Sequence, residues 1–186
     1  INKMPGLGED KFSNLKAGYT FMLGHPGKKL LFMGQDFGQW HEWDEKKALD
    51  WYLADKDSHR SLQKYVRDLL HLYKKYPCLY SLDHDWNGFQ WINANDGDRS
   101  IFSFIRRDET GKKNLLFVIN FTPVPRPDYR VGVPKKCKYT LLLDQEHGAY
   151  KASQCPTYTS AKEECDGKPY SIAYPLGAYG TAIFRF

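Results

Sequence analysis

Apolar positions along the chain change their period twice. Between Glu9 and His25, Phe12, Leu15, Tyr19, Met22 and Leu23 recur at helical spacing and share one face. His25-Pro26-Gly27 ends that helix, because proline cannot continue it and disfavours helical geometry in the residue before it. Leu30-Leu31-Phe32-Met33 is then a continuous apolar run, the pattern of a strand buried on both faces, and Gly34 stops it. A second helical period runs from about Ser58, a candidate N-cap, to Tyr76. Leu62, Tyr65, Val66, Leu69, Leu70, Leu72 and Tyr73 form its apolar face, and Arg67, Asp68, Lys74 and Lys75 point to water. Pro77 closes it. Helix, buried strand, long loop, helix is the rhythm of a β/α repeat.

Beyond Pro77 the helical period disappears. Phe89 to Asn93, Ser100 to Arg107, Asn114 to Phe121, Tyr129 to Val133, Lys138 to Asp144, Tyr170 to Tyr174 and Gly180 to Phe186 are short and rich in aromatic and β-branched residues. Turns separate them, at Asn95 to Asp98, Asp108 to Gly111, Pro123 to Pro127 and Pro175 to Gly177. That spacing predicts an antiparallel sandwich. Gln145 to Lys168 is polar and irregular and reads as a long loop. The fold class expected is therefore an α+β fragment. Residues 1–78 form the last β/α unit of a (β/α)8 barrel, and residues 79–186 an all-β antiparallel domain. One β/α unit cannot close a barrel, which needs eight, so the chain reads as the tail of something larger.

Composition narrows the picture. With 41% hydrophobic and 16% aromatic residues in 186, the chain can bury a real core and is not disordered. No apolar run approaches the roughly 20 residues needed to cross a bilayer. The net charge is +5, but the basic residues are dispersed as pairs such as Lys28-Lys29 and Lys135-Lys136, often beside acids. That is a solvated surface rather than a nucleic-acid stripe. Ile1 to Gly6 carries no signal-peptide hydrophobic region, so the expected compartment is the cytoplasm, with reduced thiols. Cys78, Cys137, Cys155 and Cys165 form no C-x-x-C pair, which argues against zinc. Reduced thiols are the default reading, and a Cys155–Cys165 bridge is possible in principle only.

Candidate chemistry gathers after the apolar run, where a β/α barrel builds its site from the loops at strand ends. Gln35, Asp36, Gln39, Trp40, Trp43, Asp50 and Trp51 are the candidates for ligand contact or support of a site. Flat tryptophan rings suit stacking on a sugar face, and equally suit packing a loop against a rim. Trp51, following Leu49, is expected to be partly core. Asp36 reads either as a carboxylate that orients groups in a pocket or as one that fixes its own loop. His41-Glu42-Trp43-Asp44-Glu45 lacks the H-E-x-x-H spacing of a metal site, and no metal or cofactor is expected. Trp86, Phe89 and Trp91 read either as a sugar platform or as sheet core.

The run from Gly27 to Trp43 (GKKLLFMGQDFGQWHEW), the following Leu49-Asp50-Trp51, and the run from Asn120 to Pro134 resemble the C-terminal part of bacterial 1,4-α-glucan branching enzymes of the α-amylase superfamily. The ending Tyr174 to Phe186 is similar to the last two strands of that family's C-terminal domain, and the opening resembles the segment just after its last catalytic motif. The resemblance implies cleavage of an α-1,4 link and its re-formation as an α-1,6 branch, with retention. Retention needs a nucleophilic carboxylate and a general acid roughly 5–5.5 Å apart. The family's catalytic acids fall upstream of Ile1, so no catalytic residue maps onto this chain. The partners implied are an α-glucan and the remainder of the barrel, with self-association of the unpaired strand as a further expectation. The family usually has Glu where Asp36 stands, which shortens the side chain by a methylene. The alternative is a stand-alone carbohydrate-binding or structural β-module with a helical cap.

Overall fold

Leu115–Asn120 forms the strand on which both layers of the molecule are built. In the computed structural model, which describes residues 1–186, the two helices are α1, Glu9–Gly24, and α2, Asp57–Lys75. The strands are β1 Phe89–Asp96, β2 Ile101–Arg106, β3 Leu115–Asn120, β4 Arg130–Val133, β5 Lys138–Asp144, β6 Gly148–Ala149, β7 Thr157–Thr159, β8 Tyr170–Ala173 and β9 Thr181–Arg185. A seven-stranded sheet runs β1-β2-β3-β9-β5-β6 with β7 also on β5, while β4 and β8 form a second sheet. All the named pairings are antiparallel.

Alternation along β3 assigns its side chains to two cores. Leu115, Phe117 and Ile119 face α1 and α2, joining Leu23, Leu62, Tyr65 and Leu69. Leu116 and Val118 face the small sheet, joining Val131, Val133, Ile172 and Phe184. β3 is thus buried on both faces, which explains its unbroken apolar sequence. The Tyr65 hydroxyl ties the layers together, 2.7 Å from Thr20 Oγ1 on α1 and 2.7 Å from Thr181 Oγ1 on β9.

The run Leu30 to Met33 is not a strand. Both helices of the expected β/α unit form, but residues 28–32 have no ladder partner and Met33 begins a turn. Strand geometry in a parallel sheet depends on neighbours that supply the hydrogen bonds, and none lies in these 186 residues. Leu31 packs against the helix-side core, whereas Leu30 is 72% exposed and Phe32 and Met33 are also open to water. The barrel portion of the expected fold class is therefore not formed within the chain, while the all-β part is.

Smaller corrections follow from tertiary contacts. α2 begins at Asp57 rather than Ser58, and the Ser58 hydroxyl donates to Glu9 across the helix pair instead of capping. Leu70 lies at the surface. Asp68 does not face water but accepts the amide of Ala149 at 3.2 Å. The stretch Gln145 to Lys168 is not one irregular loop, because β6 and β7 within it both pair with β5. All four cysteines are free. No helix is long and apolar enough to cross a membrane.

Candidate functional site

The loop after Phe32 folds back on itself through short-range hydrogen bonds. Gln35 N donates to Phe32 O at 3.0 Å, Gly38 N to Gln35 O at 3.2 Å and Gln39 N to Gly34 O at 2.9 Å. The Gln35 side chain closes the turn by accepting the Phe32 amide at 2.9 Å. Gly38 takes a positive φ of 72°, and a Cβ there would sit 3.0 Å from Leu62 Cδ2 on α2. Glycine allows both the conformation and the close approach. Phe37 is fully buried beneath the turn, and His59 of α2 reaches its carbonyl through Nδ1 at 2.7 Å.

Gln39 and Asp50 clamp the two arms of the longer loop together. Gln39 Nε2 donates to Asp50 Oδ2 at 3.1 Å, and Asp50 N donates to Gln39 Oε1 at 3.0 Å. The His41 ring nitrogen Nδ1 lies 3.2 Å from the same carboxylate oxygen. Lys3 pairs with Glu42 and holds its carboxyl below the usual range, and Lys47 lies 3.6 Å from Asp44. Glu42, Asp44 and Asp50 are thus each engaged by a cation, an amide or an imidazole. No group of three or more His, Cys, Asp or Glu side chains is placed to hold a metal ion.

Two adjoining clefts, of about 440 and 340 Å³, share Gln39, His41, Glu42 and Trp43 in their walls. Gln35, Trp40, Phe32 and Met33 also line the first, with Ile1 to Lys3, and Asp50 lies in the second. Trp43 meets the edge of Phe32 with ring centres 5.2 Å apart, so a ring from the apolar run holds the tryptophan upright. Trp40 has no aromatic partner and is part-exposed in the first cleft. The structure therefore brings five of the seven candidate residues, Gln35, Gln39, Trp40, Trp43 and Asp50, to one place.

The other two stand apart. Asp36 lines neither cleft and accepts Gln63 Nε2 of α2 at 3.1 Å. It also lies beside Tyr19, whose phenol is pushed well up by burial and then by the Asp36 charge. That phenol stays protonated and donates to Gln35 O at 2.7 Å. Asp36 thus fixes the back of the loop. Trp51 is 61% exposed rather than partly core, and lies over Phe37 at 5.2 Å. Lys3 joins the wall as well, through a contact with Glu42 that lies 39 residues away and that no local pattern announces.

On the β-domain, Phe89 and Trp91 belong to an aromatic cluster with Phe21, His25 and Phe104. Trp86, 94% exposed, is not part of it. Of the three side chains read either as a sugar platform or as sheet core, Phe89 and Trp91 are thus packed in a cluster and Trp86 is an isolated ring.

Comparison with known proteins adds an independent line. Residues 91–186 match the family model described as the α-amylase C-terminal all-beta domain. The chain is 51% identical over 189 residues to the 1,4-alpha-glucan branching enzyme GlgB of Butyrivibrio fibrisolvens, covering all of this chain and 30% of that protein. It is 51% identical over 153 residues to the enzyme of the same name from Aquifex aeolicus, covering 82% of this chain and 24% of that protein. The Geobacillus stearothermophilus enzyme of that name is 41% identical across the whole chain, which covers 29% of it. The chain thus spans 24–30% of the length of these relatives. Among solved structures, a MUTB mutant from crystals soaked with trehalulose superposes with a TM-score of 0.60 at 13% identity. That match covers 94% of this chain and 38% of the other, and shows a shared fold.

Proposed function

The chain belongs to the α-amylase family, whose C-terminal all-beta domain it carries over residues 91–186, and on that premise we propose that it is the C-terminal part of a 1,4-α-glucan branching enzyme. The observation that carries this is 51% identity over the whole chain to a protein of that name. The division of labour follows. Residues 1–78 finish the catalytic barrel, and residues 79–186 form the β-domain that supports it. The exposed edge at Leu30, Phe32 and Met33 is covered by the rest of the barrel in the parent enzyme. In the chain alone, a second copy covers the same edge.

The loop carrying the two clefts forms one wall of the glucan site. Trp40 and Trp43 in the clefts, and the exposed Trp51 outside them, offer ring faces to glucose units, and Gln35, Gln39 and Asp50 offer amide and carboxylate groups to sugar hydroxyls. Asp36 supports that wall from behind through Gln63. The nucleophile and acid needed for retention lie on the missing part of the barrel. The compartment that fits four free cysteines is the cytoplasm.

An iodine-stain assay on amylose with the isolated chain tests where the catalytic groups lie. No shift in the glucan–iodine spectrum is expected. Measurable branching by the 186 residues alone would contradict a catalytic pair upstream.

A further inference from the structure

A third cavity lies away from the tryptophan-lined clefts, between the C-terminal half of α2 and the edge of the main sheet. Its volume is about 220 Å³. Lys75 and His71 enter it from α2, and Arg185 from the end of β9. Neither Lys75 nor Arg185 forms an ion pair. The one carboxylate in the wall, Asp68, is already satisfied by Lys64 at 2.7 Å and by the amide of Ala149. The cavity therefore presents two uncompensated cations to whatever fills it. They converge on Tyr76: Lys75 Nζ lies 5.8 Å from its ring centre, and the Arg185 charge acts on its phenol. Leu72, Leu142 and Tyr150 add large apolar surfaces to the wall.

We propose that this cavity binds a small organic phosphate, with the phosphoryl group on Lys75 and Arg185 and the carbon body against Leu72, Leu142, Tyr76 and Tyr150. Arginine offers a planar fork that matches phosphate oxygens, and lysine a compact charge beside it. A neutral glucan would offer neither cation an opposite charge. The volume limits the ligand as well. Pockets for drug-sized ligands run from roughly 300 Å³ upward, so this one takes a compound about the size of a monosaccharide phosphate. Such a ligand would touch both α2 and the sheet, and so strengthen the seam between the helices and the β-domain. The proposal does not depend on the branching reaction.

Cys155 lies in the same wall, and its thiol reports occupancy. Iodoacetamide labelling mapped by peptide mass spectrometry compares it with the partly buried Cys137 and Cys165 as internal controls. Glucose 6-phosphate is expected to slow labelling of Cys155 severalfold and leave the two controls unchanged. Inorganic phosphate should do so only at higher concentration, and glucose not at all. Arg185→Gln and Lys75→Gln, both at exposed positions, should each raise the half-protecting concentration about tenfold, the size expected for one lost charge-assisted bond. Three outcomes would each overturn the proposal. These are no protection by millimolar glucose 6-phosphate, equal protection by glucose or inorganic phosphate, and protection undiminished in the double variant.

Discussion

Arg106 Nη1 donates to the carbonyl of Gly24 at 2.7 Å, joining the end of β2 to the last residue of α1. The same guanidinium donates through Nε to Gly88 O at 3.2 Å and through Nη2 to Asp83 Oδ1 at 2.5 Å. Its side chain is fully buried. One residue therefore holds together the first helix, the link into the β-domain and the sheet. Gly24 allows the approach, because a Cβ there would fall 2.7 Å from Phe117 Cε1 and 2.9 Å from Phe104 Cζ.

Arg106→Met removes all three donors at once. Breaking a buried ion pair from one side leaves its partner groups unsatisfied, so unfolding free energy should drop by about 3 kcal/mol, read by urea denaturation. Gly24→Ala should also destabilise, by about 1–2 kcal/mol, because overpacking against two aromatic rings outweighs the gain in helix propensity of up to about 1 kcal/mol. A neutral or stabilised Gly24→Ala would mean that α1 does not sit against the sheet as described.

Lys29 gives the fold a pH signature. Burial lowers its pKa from 10.5 to about 8, with Asp83 opposing that shift and Arg106 adding to it. Between those two values the unfolded chain binds the proton and the folded chain does not, so this group makes stability rise with pH across the window. Below pH 8 it costs stability, because the buried amine is charged. Other buried groups titrate in the alkaline range, so the clean observable is a difference. Denaturation midpoints of wild type and Lys29→Met should be furthest apart near neutrality, in favour of the variant, and converge toward pH 10.5. A constant gap would show that Lys29 is not desolvated.

The two most informative tryptophans are expected to behave differently. Trp40→Ala should weaken retention of the chain in glycogen gels by roughly fivefold, the scale of one lost stacking contact. Trp86→Ala should change stability by less than about 0.5 kcal/mol, because the ring is exposed and outside the aromatic cluster. If retention falls with Trp86→Ala and not with Trp40→Ala, the glucan surface lies on the β-domain rather than at the clefts.

How much of this was legible in the chain depended on the range of the forces involved. Leu62, Tyr65, Val66 and Leu69 mark α2 because helical periodicity is a local property. Leu115 to Ile119 and Leu30 to Met33 look alike as apolar runs. Only the first finds strands on both sides, β2 and β9, and becomes a strand. β7 is hard to read locally because it is only three residues long, lies in a polar stretch and owes its geometry to pairing with Lys138 to Thr140. At the site, Gln39 and Asp50 were recognisable as candidates one by one. Their reciprocal clamp joins residues eleven apart across an irregular loop, and nothing periodic encodes it. Arg106 ends a strand pattern and reads as a surface charge until Gly24, Gly88 and Asp83 converge on it.

The most direct test of the proposed identity is a chimera. The chain replaces the matching C-terminal 30% of the Butyrivibrio fibrisolvens enzyme, and branching of amylose is followed by iodine absorbance. Branching by the chimera, with none from the 186 residues or from the truncated host alone, is the expected result. A chimera that folds as judged by circular dichroism, yet leaves the glucan unbranched, would contradict the assignment of this chain as the C-terminal part of a branching enzyme.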